Sequence, residues 1–295
     1  MSDSDSNASS RATAPDPSET PAIPIAWQPL TFGGVAAFST AKAGRLFLVQ
    51  TVVALLVAGA ASWFLSVHWF PAVRIAIREL PDAGAIRDGQ LVSPRDSAAP
   101  LVETRYLCIA VDAMDTGVAS SFADVRIEFH KTHWAACAFA GCVTRRYPAG
   151  EPIQFNRPEF EAWWGAWQPM LFGLIPVAIV AALFASWLVL ATFGGLVAWL
   201  IAYFKDRQLS GIGAWKLAGA ALLPGALLIA AGIVLYGLGI VNLLQLLCIW
   251  IAHVPVGWAY LAAAPFRLPR AIPKSRRDPF GTAPRPRRRN PFGGQ

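Results

Sequence analysis

Four side chains able to ligate a metal fall within thirteen residues: His130, His133, Cys137 and Cys142. Zinc takes imidazole and thiolate donors of this kind in a tetrahedron, but this spacing is not one of its standard patterns. If Ile127 to His133 is one strand, His130 and His133 point to opposite faces, because side chains alternate along a strand. The two thiols stand five residues apart and can close a short loop as a disulfide in an oxidising compartment. The disulfide outranks zinc. A third reading, in which neither forms, leaves Cys108 as an alternative partner. Cys248 lies in an apolar run and reads as a packed apolar side chain. Asp115-Thr116-Gly117 matches the aspartic-protease tripeptide, whose chemistry needs two carboxylates sharing a proton. The chain has one such tripeptide, and Asp-Thr-Gly is also a natural turn, so the turn is expected.

Outside these clusters the polar groups thin out. From Leu46 to Val67, Ala162 to Phe204 and Leu217 to Pro265 there is no Asp, Glu, Lys or Arg. Within the last run the polar groups include Asn242, Gln245 and His253, and only His253 is ionisable. An ionisable group inside a membrane span is a functional candidate by default. Here an interfacial position, or a bond to a neighbouring helix, is the simpler expectation. The absence of buried acids and strong bases argues against a proton-coupled pump or ion transporter. No motif implies a cofactor, and no convergent polar cluster of the kind a membrane enzyme needs is legible, so an enzyme is the third-ranked reading.

The elements that must position these residues follow from composition. The 295 residues are 55% hydrophobic and 15% charged, against about 25% charged in ordinary soluble domains. About 20 apolar residues cross a bilayer core, and each charge-free run is long enough. Residues 1–26 are Ser-, Asp- and Pro-rich and read as disordered. Residues 27–45 read as an interfacial helix or a linker. A signal-anchor span is expected at 46–67, with Lys42 and Arg45 before it. Residues 68–161 form the one candidate water-soluble domain. Val73 to Arg78 and Val125 to Phe129 alternate as strands do, Tyr106 to Val111 reads as a buried strand, and Asp88-Gly89 marks a hairpin turn. A long second span follows at 162–204, with Trp163, Trp164 and Trp167 as an aromatic belt at its start. Gly194-Gly195 is its one plausible bend. A short basic loop occupies 205–216, and two further spans lie at 217–236 and 240–264.

Residues 265–295 form a basic tail: Arg267, Arg270, Lys274, Arg276, Arg277, Arg285, Arg287, Arg288 and Arg289 stand against one acid, Asp278. That net +8 exceeds the +7 of the whole chain, so the high pI describes a tail rather than a folded basic surface. Within it Arg276-Arg277-Asp278-Pro279-Phe280-Gly281 returns as Arg288-Arg289-Asn290-Pro291-Phe292-Gly293, a duplicated linear motif. A disordered basic arm needs only charge to meet anionic lipid head groups. A protein partner reading the duplicated motif is the second expectation. Nucleic acid is the weakest.

An early span, a β-rich insert and then a helical bundle make a recognisable layout. Leu80-Pro81, Ile86-Arg87-Asp88-Gly89-Gln90-Leu91, Ile109-Ala110-Val111-Asp112 and Lys205-Asp206-Arg207-Gln208-Leu209-Ser210 lie within it. In these features residues 45–262 resemble a family of multi-span bacterial membrane proteins classed as a domain of unknown function. The resemblance implies a layout and a bacterial envelope location, not a reaction. The His/Cys stretch and the basic tail are not part of that pattern.

The expectation is therefore an α-helical integral membrane protein of four transmembrane helices with an inserted small β-rich or α+β extracytoplasmic domain. Counting 162–204 as one span puts Lys42, Arg45, Lys205, Arg207, Lys216 and the tail on one side. Basic flanks favour the cytoplasm, so both termini are expected there, in a bacterial inner membrane. The leading function is non-enzymatic: binding, scaffolding or sensing through the outer domain, with a protein partner or self-association. A permease component for an uncharged or lipidic substrate is the alternative.

Overall fold

The computed structural model of the chain describes residues 27–93, 99–114 and 122–271. Asp115-Thr116-Gly117, the segment 1–26 and the tail from Pro273 onward, with Lys274, Arg276, Arg277, Arg285, Arg287, Arg288 and Arg289, lie outside them. Four helices are long and apolar enough to cross a membrane: Ala43–Arg78, Arg157–Phe204, Gly211–Gly237 and Leu243–Arg267. A separate small sheet region lies between the first and the second.

The short helix α1 (Phe32–Ala37) is N-capped by Thr31, whose hydroxyl accepts from Gly34 N. Residues 27–45 thus hold a short helix and are not a free linker. Val35 and Phe38 are fully buried and pack into the helical core. Helix α2 (Ala43–Phe64) runs through one π turn, Leu65–Trp69, into α3 (Phe70–Arg78). The first helix therefore does not stop at Val67, and the strand expected at Val73–Arg78 is a helix. The alternation there spans only six residues. The buried positions Ala72, Ala76, Ile77 and Leu80 instead follow the helical period, and they face the sheet on one side and α4 on the other.

Helix α4 (Arg157–Phe204) is one uninterrupted helix of 48 residues, begun by Asn156, whose side chain accepts from Glu159 N. At 1.5 Å per residue it extends about 72 Å, far more than a bilayer core needs. The helix runs without a break through Gly194-Gly195. Trp187, Ala191, Gly194, Gly195, Ala198 and Ala202 form one helical stripe of buried residues instead. Small residues on that stripe let α5 (Gly211–Ala221) come close, and the Cα of Trp215 lies 3.1 Å from where a Cβ on Gly195 would stand. The excess length of α4 is at its start. There Trp164 packs on Phe70 at 5.5 Å and Gln168 Oε1 accepts from Arg74, making a two-helix stem under the sheet region.

The third long helix begins at Gly211 rather than 217, because Ser210 caps it by accepting from Gly213 N. It breaks at Leu222 and resumes as α6 (Leu223–Gly237), since Pro224 has no N–H to give the carbonyl of Ala220. Helix α7 (Leu243–Ala263) starts with a reciprocal Asn242/Gln245 capping box. The tail expected to be disordered from 265 is ordered at its root. Pro265 and Leu268 are buried, Ala271 N donates to Asp206 O, and Gln208 N donates to Pro269 O.

The sheet region holds two sheets. One has the order β3-β4-β5-β6-β7, from Ala99–Glu103, Leu107–Asp112, Val125–His130, His133–Ala138 and Gly141–Arg146, with β4 and β5 parallel. The other is β2-β1-β8, from Gln90–Val92, Ala85–Arg87 and Ile153–Gln154. The Asp88-Gly89 turn has the two positive φ values (50° and 74°) that a two-residue hairpin of its type requires. Leu91, Leu101, Leu107, Ile109, Val111, Phe129 and Phe155 form the core beneath α3.

Candidate functional site

One face of the five-stranded sheet carries its ionisable groups. Along β5 the residues Val125, Ile127 and Phe129 turn to the apolar core, so Arg126, Glu128 and His130 share the other face. Asp112 is the β4 partner of His130 in the parallel register. The result is a line of charge: Arg126 Nε stands 2.9 Å from Glu128 Oε1, Glu128 Oε2 3.3 Å from His130 Nε2, and Asp112 Oδ2 3.9 Å from His130 Nδ1. Asp112 is fully buried and Glu128 nearly so. Burying a carboxylate is costly unless it is paired, and this line supplies partners.

His130 and His133 do not point to opposite faces. Lys131-Thr132 is a two-residue turn between β5 and β6, so the imidazoles flank it on the same face and stack with centroids 4.5 Å apart. Cys137 and Cys142 are directly opposed at the far end of the β6–β7 hairpin and are joined as a disulfide. Four residues of strand separate His133 from Cys137, roughly 13 Å. The four zinc candidates therefore do not converge, and among the described residues no group of three or more His, Cys, Asp or Glu is placed to hold a metal.

The sheet region meets the bundle through a polar and aromatic joint. Tyr106 donates its hydroxyl proton to the carbonyl of Tyr236 at 2.9 Å, and Arg105 donates to the carbonyls of Gly239 and Val241. Tyr236 in turn donates to Asp124 Oδ2 at 2.6 Å. Phe64, His68, Tyr106 and Tyr236 pack in tilted and edge-to-face pairs with centroids 4.5–5.3 Å apart. His68 sits on the π turn, and its Nε2 is enclosed without a hydrogen-bond partner among the described residues. The sheet region and the α6–α7 turn are thus held by groups from both.

Beside that joint lies a cleft of about 450 Å³. Its walls differ: Asp124, Arg126 and Asn242 are polar, whereas Phe139, Leu243 and Leu244 are apolar. Phe139 is two-thirds exposed. A second cavity, about 300 Å³, lies within the bundle between α4 and α7 and is lined by Trp187, Phe193, His253 and Trp258 among others.

No protein-family model, curated protein or solved structure matches the chain.

At the other end of the bundle Lys42, Arg45, Lys205, Arg207, Lys216, Arg267 and Arg270 gather, with Asp206 the one acid of the 205–210 connection. Arg270 pairs with Arg207 as an isolated β-bridge, and Lys216 Nζ donates to Ala41 O at 2.6 Å. Cys248 is exposed on the outer surface of α7 rather than packed. Sequence reading missed Gln50, buried in α2, and the Arg105/Asp124/Tyr236 joint. Their partners are more than a hundred residues away, apart from any local pattern.

Proposed function

We propose that the chain is a multi-pass protein of a bacterial cytoplasmic membrane that acts by binding rather than catalysis, with the cleft under its sheet region as the receiving site. The cleft carries this reading. Its volume lies in the range of small-ligand sites, and polar and apolar walls face each other across it. An occupant with a polar end and an apolar flank, such as a protein segment lying on the membrane surface, fits those walls. In this reading the bundle anchors the cleft at the outer membrane surface, and the Arg105, Tyr106 and Tyr236 bonds keep it from swinging on a flexible tether.

Two observations support membrane insertion with both termini in the cytoplasm. Only 11% of the apolar window in α4 is buried, against 61% in the third long helix. Phe172, Leu174, Val177, Leu188 and Phe193 are exposed, and an apolar surface of that length needs lipid to cover it. The seven basic residues named above collect at the end away from the sheet region, as the positive-inside rule asks of a cytoplasmic face. Membrane lipid, with anionic lipid at the basic end and tail, is then the constant partner.

The test is a photo-crosslinking residue at Phe139 in cells. A discrete adduct that is lost when Arg126 and Asn242 are both replaced by Ala supports the reading. Crosslinking to bulk lipid alone, unchanged by those substitutions, overturns it. A permease for an uncharged or lipidic substrate is the second reading, favoured by the break at Leu222 beside the bundle cavity, because interrupted helices mark transport sites.

A further inference from the structure

The cavity between α4 and α7 rests for its meaning on the membrane-inserted reading, and its wall has an unusual chemistry. It lies midway along the helices: His253 is the eleventh of 21 residues in α7, and the Leu222 break borders it. No charged side chain lines it. Ser186 and His253, polar side chains in its lining, have both turned a proton toward their own helix. Ser186 Oγ donates to Leu183 O at 2.8 Å, within its own helix. His253 Nδ1 bonds Trp250 O. A carbonyl can only accept, so Nδ1 carries a proton, and with that single ring proton Nε2 keeps its lone pair. That nitrogen makes no hydrogen bond to a described residue. Helix α7 is also fixed here, because the carbonyl of His253 lies 2.7 Å from where a Cβ on Gly225 would stand. Pro255, two residues on, has no N–H to offer the carbonyl of Ile251. An acceptor without a donor is costly at a depth where water is absent.

We infer that this cavity binds a single-chain lipid alcohol, whose hydroxyl donates to Nε2 of His253 and whose chain lies along Trp187, Phe193 and Trp258. The His253 acceptor selects a donor, and a hydroxyl is a small uncharged donor that a single lipid chain can carry. A cavity of about 300 Å³ is at the lower end of ligand sites, which suits one chain and excludes a two-chain phospholipid with its head group. No Lys or Arg lines the cavity to hold an ionised fatty acid carboxylate.

The test uses the full chain in lipid vesicles with two diazirine probes: a photoreactive hexadecanol and its methyl ether, which has the same chain but no donor. The alcohol labels peptides of α4 and α7, plain hexadecanol competes it away, and the ether labels about tenfold less, the size of one hydrogen bond. His253→Leu drops alcohol labelling to the ether level. His253→Gln, whose amide oxygen accepts, keeps most of it. Equal labelling by alcohol and ether in the unaltered chain overturns the inference even if the Leu variant misfolds. So does alcohol labelling that survives in a folded Leu variant. Alkaline carbonate extraction of the same vesicles separates the two readings. Protein that washes off overturns membrane insertion, whereas protein that stays and labels without preference for the alcohol overturns only the ligand.

Discussion

The bundle and the sheet region solve opposite problems with the same chain. Where α4 meets α5 the bundle packs small residues together: Ala191, Ala198, Ala214 and Ala218 are buried, whereas Leu188, Leu190 and Phe193 on the other side of α4 are exposed. The sheet region does the reverse, with Leu107, Ile109, Val111 and Phe155 inside and Arg145, Arg146 and Lys131 outside. In lipid, where we propose that the bundle sits, burying a large apolar side chain between helices gains little, and close backbone approach holds helices together. In water, area removed from solvent holds the sheet. The joint between them adds a third device to its aromatic packing. It relies on hydrogen bonds that Tyr106, Arg105 and Tyr236 make to backbone carbonyls and to Asp124.

The sharpest way to break this contrast is to cut the same side chain from each region. Leu107→Ala removes a fully buried group from the sheet core and should lower the stability of that region by about 2–5 kcal/mol. Leu188→Ala removes an outward group from α4 and should change stability by less than about 0.5 kcal/mol. Protease resistance of the sheet region and thermal unfolding in detergent measure both. Equal losses would erase the distinction.

Next in size is the hairpin disulfide. Replacing Cys137 and Cys142 by Ser should cost the sheet region about 2 kcal/mol, the entropy of closing so short a loop, and leave the bundle unaffected. Non-reducing mass spectrometry should find both thiols protected from alkylation in the mature protein. Alkylation of both in unreduced protein would contradict the pairing.

The joint should respond more gently. Tyr236→Phe removes the bond to Asp124 and should cost about 1–3 kcal/mol, as for a hydrogen bond to a charged group. A double-mutant cycle with Asp124→Ala should return a coupling of similar size, seen as easier proteolysis between the two regions. No coupling would mean that the regions are merely adjacent. The smallest effect on folding is expected at the tail. Deleting 272–295 should leave thermal stability unchanged and weaken binding to anionic vesicles at low salt, with the difference fading as salt screens the charges. Deleting 268–295 should also destabilise the bundle end, because Leu268 and the Ala271–Asp206 bond go with it.

The sequence showed the bundle more readily than the sheet. Charge-free runs locate long helices whatever their neighbours do, and the Asp88-Gly89 turn needs only local backbone geometry. Periodicity failed at Val73–Arg78, where six residues satisfy both a strand and a helix, and contact with Trp164 and the sheet decides for the helix. It failed again at His130 and His133, because the turn between them is Lys131-Thr132, a pair without the usual turn residues. Gly194-Gly195 read as a bend, but Gly195 lies against Trp215 and Gly194 against Ala218 and Leu261, inside an unbroken helix. The clefts were not legible at all, since Asp124, Arg126, Phe139 and Asn242 come together only through the fold.

The central claim is four crossings with the sheet region on the opposite side from both termini. Dual topology reporters inserted after Ser210, after Gln295 and after Gly150 test it most directly. The account predicts cytoplasmic signals at Ser210 and Gln295 and an extracytoplasmic signal at Gly150. An extracytoplasmic signal at Ser210, which would require α4 to cross twice, would contradict it.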